Sequence, residues 1–187
     1  MTSKIKVNIL ADGGDNSIIT SDGAGSFTAS SSLASSVQSV GGIQMTPAFE
    51  AYLSSDTSLS ENVTTVLPCD TEVYDTDNCY NTSTYAFTPN VAGKYYIYGS
   101  AYLQSGGDAY KFSFVEIYLN DSLLKRSLFN PQDTSVNTFV HLINGIVDMN
   151  GTTDSVNLQV RFSSSVSRTL YGSTRGTYFG AYKVIGA

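Results

Sequence analysis

The chain has 187 residues and a mass of 20.0 kDa, enough for one domain with a short appendage and for a core that needs no disulfide or metal staple. Hydrophobic residues make up 41% and charged residues only 14%, which excludes a disordered acidic tail. Lys plus Arg number 10 against 16 Asp plus Glu, a net charge of -6, so the chain has no cation surplus with which to bind nucleic acid or an anionic membrane surface.

The start, MTSKIKV, lacks the apolar stretch of a secretory signal, and no apolar run reaches the roughly 18 residues of a membrane span. The expectation is synthesis and folding in a cytoplasm, without membrane insertion. Residues 4–10 (KIKVNIL) alternate and place Ile5, Val7 and Ile9 on one face of a short strand. The turn cluster Asp12-Gly13-Gly14-Asp15-Asn16 leads to residues 17–20 (SIIT), which carry Ile18, and a second turn leads to residues 26–29 (SFTA). Two or three such strands are marginal alone in water. Residues 1–29 are therefore expected to fold against sister chains or a larger body, with Ile5, Val7, Ile9 and Ile18 as attachment residues. Residues 30–45 are rich in Ser and Gly. They read either as a flexible linker or, from Leu33, Val37 and Val40 spaced four then three, as a short three-stranded neck.

From residue 46 to 187 the pattern is β throughout. Candidate strands are residues 47–53, 62–67, 84–88 (ended by Pro89), 94–103, 110–119, 135–149, 155–162 and 177–185. In residues 94–103 (KYYIYGSAYL), Tyr95, Ile97, Gly99, Ala101 and Leu103 share one face, and Tyr96, Tyr98, Ser100 and Tyr102 share the other. Asn120-Asp121 reads as a tight hairpin, and Gly145 as a bend or bulge. About eight strands at ten-residue spacing, with no helical stretch between them, predict an antiparallel sandwich or jelly roll.

Residues 47–53 (PAFEAYL), 70–75 (DTEVYD), 87–96 (FTPNVAGKYY) and 178–182 (YFGAY) resemble, in order, strand segments of C1q-like domains. The resemblance spans residues 47–185. It departs at Gly151-Thr152-Thr153-Asp154, where the family often has a Gly-Asp pair. No Gly-X-Y stalk precedes it. Instead, residues 3–7 and 18–23 resemble N-terminal segments of tailed-bacteriophage virion proteins that end in C1q-like heads. The resemblance implies an all-β, C1q/TNF-like antiparallel jelly-roll head forming a homotrimer. In phage it implies a fibre knob or a capsid decoration, joined to capsid or tail proteins through the N-terminal segment. Aromatic crowding independently predicts a subunit interface, because a sandwich buries only one face of each sheet; the alternative is that loops of the same chain cover the outer face. The candidates are Tyr96, Tyr98, Tyr102, Phe112, Phe114 and Tyr178.

No catalytic constellation is legible, so no enzyme is expected. His141, the one histidine, sits in an apolar strand without a nucleophile elbow elsewhere. A glycan-active enzyme would need paired carboxylates, and nothing brings the strand residues Glu72 and Glu116 together. Asp75-x-Asp77 starts like a calcium loop, but Tyr80 and Ala86 occupy the required Gly and Glu positions. Turn-forming carboxylates are the plain reading, no cofactor is expected, and a structural Ca²⁺ shared near a three-fold axis is the alternative. Cys69 and Cys79 read as buried free thiols, with a late disulfide between them as the alternative. Loop tyrosines Tyr80, Tyr85, Tyr110 and Tyr171 are the candidates for contacting a host-surface glycan or protein. The expected location is the virion, after assembly in the host cytoplasm.

Overall fold

The computed structural model describes residues 9–11, 13–14, 16–21, 24, 27–30, 45–104, 109–132, 134–164, 168–172 and 174–184. The backbone divides into two units, Met1–Gln44 and Met45–Ala187. Among the described residues every regular element is a strand.

In the first unit, β1 (Ile9–Ala11), β2 (Ser17–Ser21) and β3 (Phe27–Ala29) form an antiparallel meander in that order. Ile9 pairs with Thr20 and Leu10 with Ile19, and the register shifts before Ala11. β1 is an edge strand, and both Ile9 and Leu10 are exposed. Ile18 lies half-buried in β2. Ile5, Val7 and the linker or neck at 31–44 lie outside the described residues.

The second unit is a sandwich. Its first sheet holds β4 (Ala48–Tyr52), β5 (Thr57–Leu59), β7 (Thr71–Asp75), β10 (Gly93–Gln104), β14 (Thr138–Met149), β16 (Arg168–Leu170) and β17 (Tyr178–Lys183). Their order is β5-β16-β10-β17-β4-β7, with β14 also on β10. The second sheet holds β6 (Thr65–Val66), β8 (Tyr80–Asn81), β9 (Ala86–Phe87), β11 (Ala109–Leu119), β12 (Ser122–Phe129), β13 (Thr134–Ser135) and β15 (Val156–Ser164). Its order is β12-β11-β15-β9-β8, with β13 on β11 and β6 on β15. Neighbours that are distant in sequence, such as β10 beside β17 and β11 beside β15, give the antiparallel jelly roll that the strand spacing predicts.

The core lies between the sheets. Tyr95, Ile97, Ala101 and Leu103 of β10 face Val115 and Ile117 of β11 and Val156, Leu158, Val160 and Phe162 of β15, all buried. Each of the Val, Leu, Ile and Phe side chains among them contributes roughly 1.5–3 kcal/mol by leaving water. Phe49 centres an aromatic cluster, stacked on Tyr80 and Phe87 at 4.4 and 4.8 Å and meeting Phe179 edge-on at 4.8 Å. The hairpin turn has Asn120 and Asp121 at φ 49° and 60°, the left-handed pair that a two-residue turn requires.

Two expectations need correction. Gly145 marks no bulge: β14 pairs with β10 in unbroken register, Gly145 opposite Ile97. A Cβ there would stand 3.3 Å from Ile117 Cδ1, so glycine makes room for the sheet behind it. The strands also outnumber the eight expected, because two- and three-residue ladders such as β5, β6, β8 and β16 depend on a distant partner rather than on their own alternation.

Candidate functional site

The outward face of the first sheet is aromatic. Alternation along β10 turns Tyr95, Ile97, Ala101 and Leu103 inward and leaves Tyr96, Tyr98 and Tyr102 half-exposed on the other side. The ladder aligns these with Tyr178 and Tyr182 of β17 and with Val140, Leu142 and Ile146 of β14. Further across, Tyr52 pairs with Tyr178, Glu50 with Gly180, and Tyr74 with Glu50. Tyr96 lies 5.4 Å from Tyr182 and 6.1 Å from Tyr98, and Tyr98 lies 6.3 Å from Tyr178. Together they border a concavity of about 370 Å³ whose other wall is Leu142 and Asn144.

One polar tie runs through this face. Tyr98 Oη donates to Glu50 Oε2 at 2.9 Å. Burial, then hydrogen bonding with Tyr74 and Glu50, pushes the Tyr98 hydroxyl well above the usual phenol range, so it stays a donor. Gly180 lies directly under the Tyr98 ring, where any Cβ would collide with it. At the far end the Tyr171 ring meets Tyr102 at a tilt, 5.1 Å between centroids. On the apolar side Leu142 and Ile146 are each 63% exposed and Val140 45%. A single chain thus leaves a continuous tyrosine and aliphatic surface wet, an arrangement that marks an interface.

Of the six interface candidates, Tyr96, Tyr98, Tyr102 and Tyr178 share this face. Phe112 and Phe114 do not: they lie on the outward face of the second sheet. Phe114 is buried within the chain beneath Arg126, whose guanidinium carbon stands 4.3 Å from the ring centre, and Phe112 stacks on Phe114 at 5.9 Å. Arg126 also clamps the buried Glu116 carboxylate at 2.5 Å, and Tyr118 Oη donates to the other carboxylate oxygen at 3.3 Å. These rings are therefore already largely covered within one protomer. Tyr182, Leu142, Ile146 and Glu50 were not singled out from the sequence. Tyr182 was legible there, two residues past Gly180 on the face of Tyr178.

The loop candidates separate as well. Tyr80 is no loop contact: only 5% exposed, it stacks on Phe49, and its hydroxyl donates to the Cys69 carbonyl at 2.8 Å. The chain turns inward there because Asp75 accepts the Tyr80 N–H at 2.8 Å. Tyr110 belongs to β11, paired with Thr134 and Ser164, and its side chain lies outside the described residues. Tyr85 remains on a turn, half-exposed, at φ 57°.

His141 is buried and its Nε2 lies 2.8 Å from Ser113 Oγ, tying the two sheets together. Burial pulls its pKa down to about 4, so the ring is neutral near pH 7. Asp75 and Asp77 serve their own turn, Asp75 accepting the Asp77 and Tyr80 N–H groups. Among the described residues no three His, Cys, Asp or Glu side chains converge as metal ligands. Cys69 and Cys79 are buried and not bonded to each other, and burial pushes both thiols upward.

No protein-family model and no curated protein matches the sequence. Solved structures do match the fold. The globular domain of zebrafish complement 1qA aligns over 74% of this chain and 96% of its own, with a TM-score of 0.50 and 13% identity. Murine APRIL aligns over 73% of this chain and 98% of its own, with a TM-score of 0.55 and 13% identity. At that identity the likeness establishes a C1q/TNF-like jelly roll and nothing finer.

Proposed function

We propose that the chain is a structural protein of a tailed-phage particle, with a trimeric C1q/TNF-like head that presents its loops to a host surface. The observation that carries this reading is the tyrosine face together with its aliphatic border on β14. A closed ring forms when one patch of each copy packs on a different patch of the next. The aromatic sheet face and the exposed Leu142–Ile146 border are two such patches on one protomer. Three copies then act by avidity, which multiplies weak contacts when their spacing permits. The N-terminal unit is the attachment segment: β1, with exposed Ile9 and Leu10, has one edge unpaired among the described residues, suited to adding a strand to a neighbouring sheet. The phage setting rests on the likeness of residues 3–7 and 18–23 to virion proteins. No catalysis is part of this reading, since the Ser113–His141 pair is sealed in the core.

The test is light scattering on the purified full-length protein, expected to give three times 20.0 kDa. A stable single subunit at micromolar concentration would overturn the assembly. The same β1 edge supports capsid decoration as the second reading. Copy number per particle separates the two, hundreds for decoration and tens for a fibre.

A further inference from the structure

On the side of the sandwich opposite β12 and β14, both sheets end, among the described residues, in edge strands with one side unpaired, β7 in the first and β8 in the second. Beside them lies a cleft of about 540 Å³ whose lining is mostly polar. Its walls are held by main-chain and turn bonds. Asn81 Oδ1 accepts the N–H groups of Ser83 and Thr84 at 2.8 and 3.1 Å, and the Thr88 N–H donates to the Cys79 carbonyl at 2.8 Å. Asn81, Tyr80 and Cys79 of the lining are committed to these and other bonds within the chain, and the remaining polar side chains are not. Among the described residues, the Glu72 carboxylate, the Asn78 amide and the hydroxyls of Thr82, Thr84, Thr88 and Ser155 make no hydrogen bond within the chain.

The composition of the lining selects the ligand. No cation lines the cleft and a carboxylate does, so a phosphate, sulfate or uronate would be repelled. Apolar lining is confined to Cys79, Tyr80 and Ala86, too little for a lipid or an apolar peptide. Hydroxyls, an amide and one acceptor carboxylate, ready-made and unpaired, suit a neutral polyhydroxylated molecule, and the volume admits a short oligosaccharide. Tyr85, between the lining residues Thr84 and Ala86, is half-exposed and does not itself line the cleft. Tyr85 is held at φ 57°, and the lining residue Asn78 at φ 55°. Asparagine enters the left-handed region readily, so the cost of about 1–2 kcal/mol falls on Tyr85, beside the lining.

We infer that the cleft beside β7 and β8 is a binding site for a neutral saccharide. This deepens the adhesive role proposed above and rests on it for its setting, but the cleft is complete in one protomer.

Saturation-transfer NMR on the full-length protein tests it with maltotriose, cellotriose, mannotriose and triacetylchitotriose, and with trigalacturonate as the anionic control. At least one neutral sugar is expected to receive saturation, and trigalacturonate none. Asn78→Gly keeps the left-handed backbone, and Thr84→Ala alters an exposed side chain. Each should weaken binding about tenfold, the loss of one ligand hydrogen bond. Ala86→Leu should fill the cleft and abolish binding. Saturation of none of the four neutral sugars, equal saturation in all three variants, or saturation of trigalacturonate would each overturn the inference. Light scattering on the same samples keeps the two readings apart: sugar binding by a monomer leaves the cleft standing and removes the three-fold assembly.

Discussion

Replacing Ile146 by Asp is the sharpest probe of the tyrosine face. Ile146 pairs with Tyr96 and is 63% exposed in the protomer. Covering that fraction of an isoleucine is worth roughly 1.5 kcal/mol. A three-fold ring contains the contact three times, so its loss removes roughly 4–5 kcal/mol from assembly before the cost of burying a carboxylate is added. At about 1.4 kcal/mol per decade, that weakens the trimer by about a thousandfold or more. The fold of each subunit should be untouched, because the side chain is solvated in the protomer. Sedimentation velocity over a dilution series is the assay, with circular dichroism as the fold check. Leu128→Asp is the matched control, since Leu128 is 58% exposed but lies opposite Phe114 on the other sheet. If the Ile146→Asp protein stays trimeric over the wild-type range, or if Leu128→Asp dissociates it as readily, the assignment of the interface to the first sheet is wrong.

Arg126→Ala strips the partner from a buried carboxylate and uncovers Phe114; because Arg126 is itself 45% exposed, the expected cost is about 2–3 kcal/mol, read as a lowered urea midpoint, with Glu116→Gln costing less. His141 makes stability pH-dependent: between pH 4 and 6.5 the unfolded chain binds a proton that the folded chain refuses. Stability therefore falls as the pH drops through that window, by at most about 3 kcal/mol, and is whole above 6.5; urea titrations across it should show a smaller fall in a His141→Leu, Ser113→Ala variant. Gly180→Ala drives a methyl group into the Tyr98 ring and should cost about 1–3 kcal/mol in thermal unfolding while weakening the trimer.

Much of the architecture was legible in one dimension because a strand's side chains alternate with period two. That rule by itself separates Tyr95 and Ile97 from Tyr96 and Tyr98, and the structure buries the first pair and leaves the second half-exposed. The hairpin at Asn120-Asp121 was legible for a similar reason, since few other residue pairs adopt its backbone. The alternation says nothing about which sheet a strand joins. Phe112 and Phe114 looked like companions of the tyrosines, yet β11 pairs with β15 and β12, and that places them on the opposite side of the sandwich. Tyr80 looked like a loop residue, and only the Asp75 turn and the Phe49 ring draw it into the core. The cleft beside β7 and β8 joins residues from 72 to 155 and has no signature along the chain.

Local covalent chemistry and periodicity thus determined that the described elements are strands, where the main ones run and which side chains of each strand travel together. Tertiary structure alone decided which of those sides meet, because long-range strand pairing is chosen by the burial of the whole core and not by any one segment.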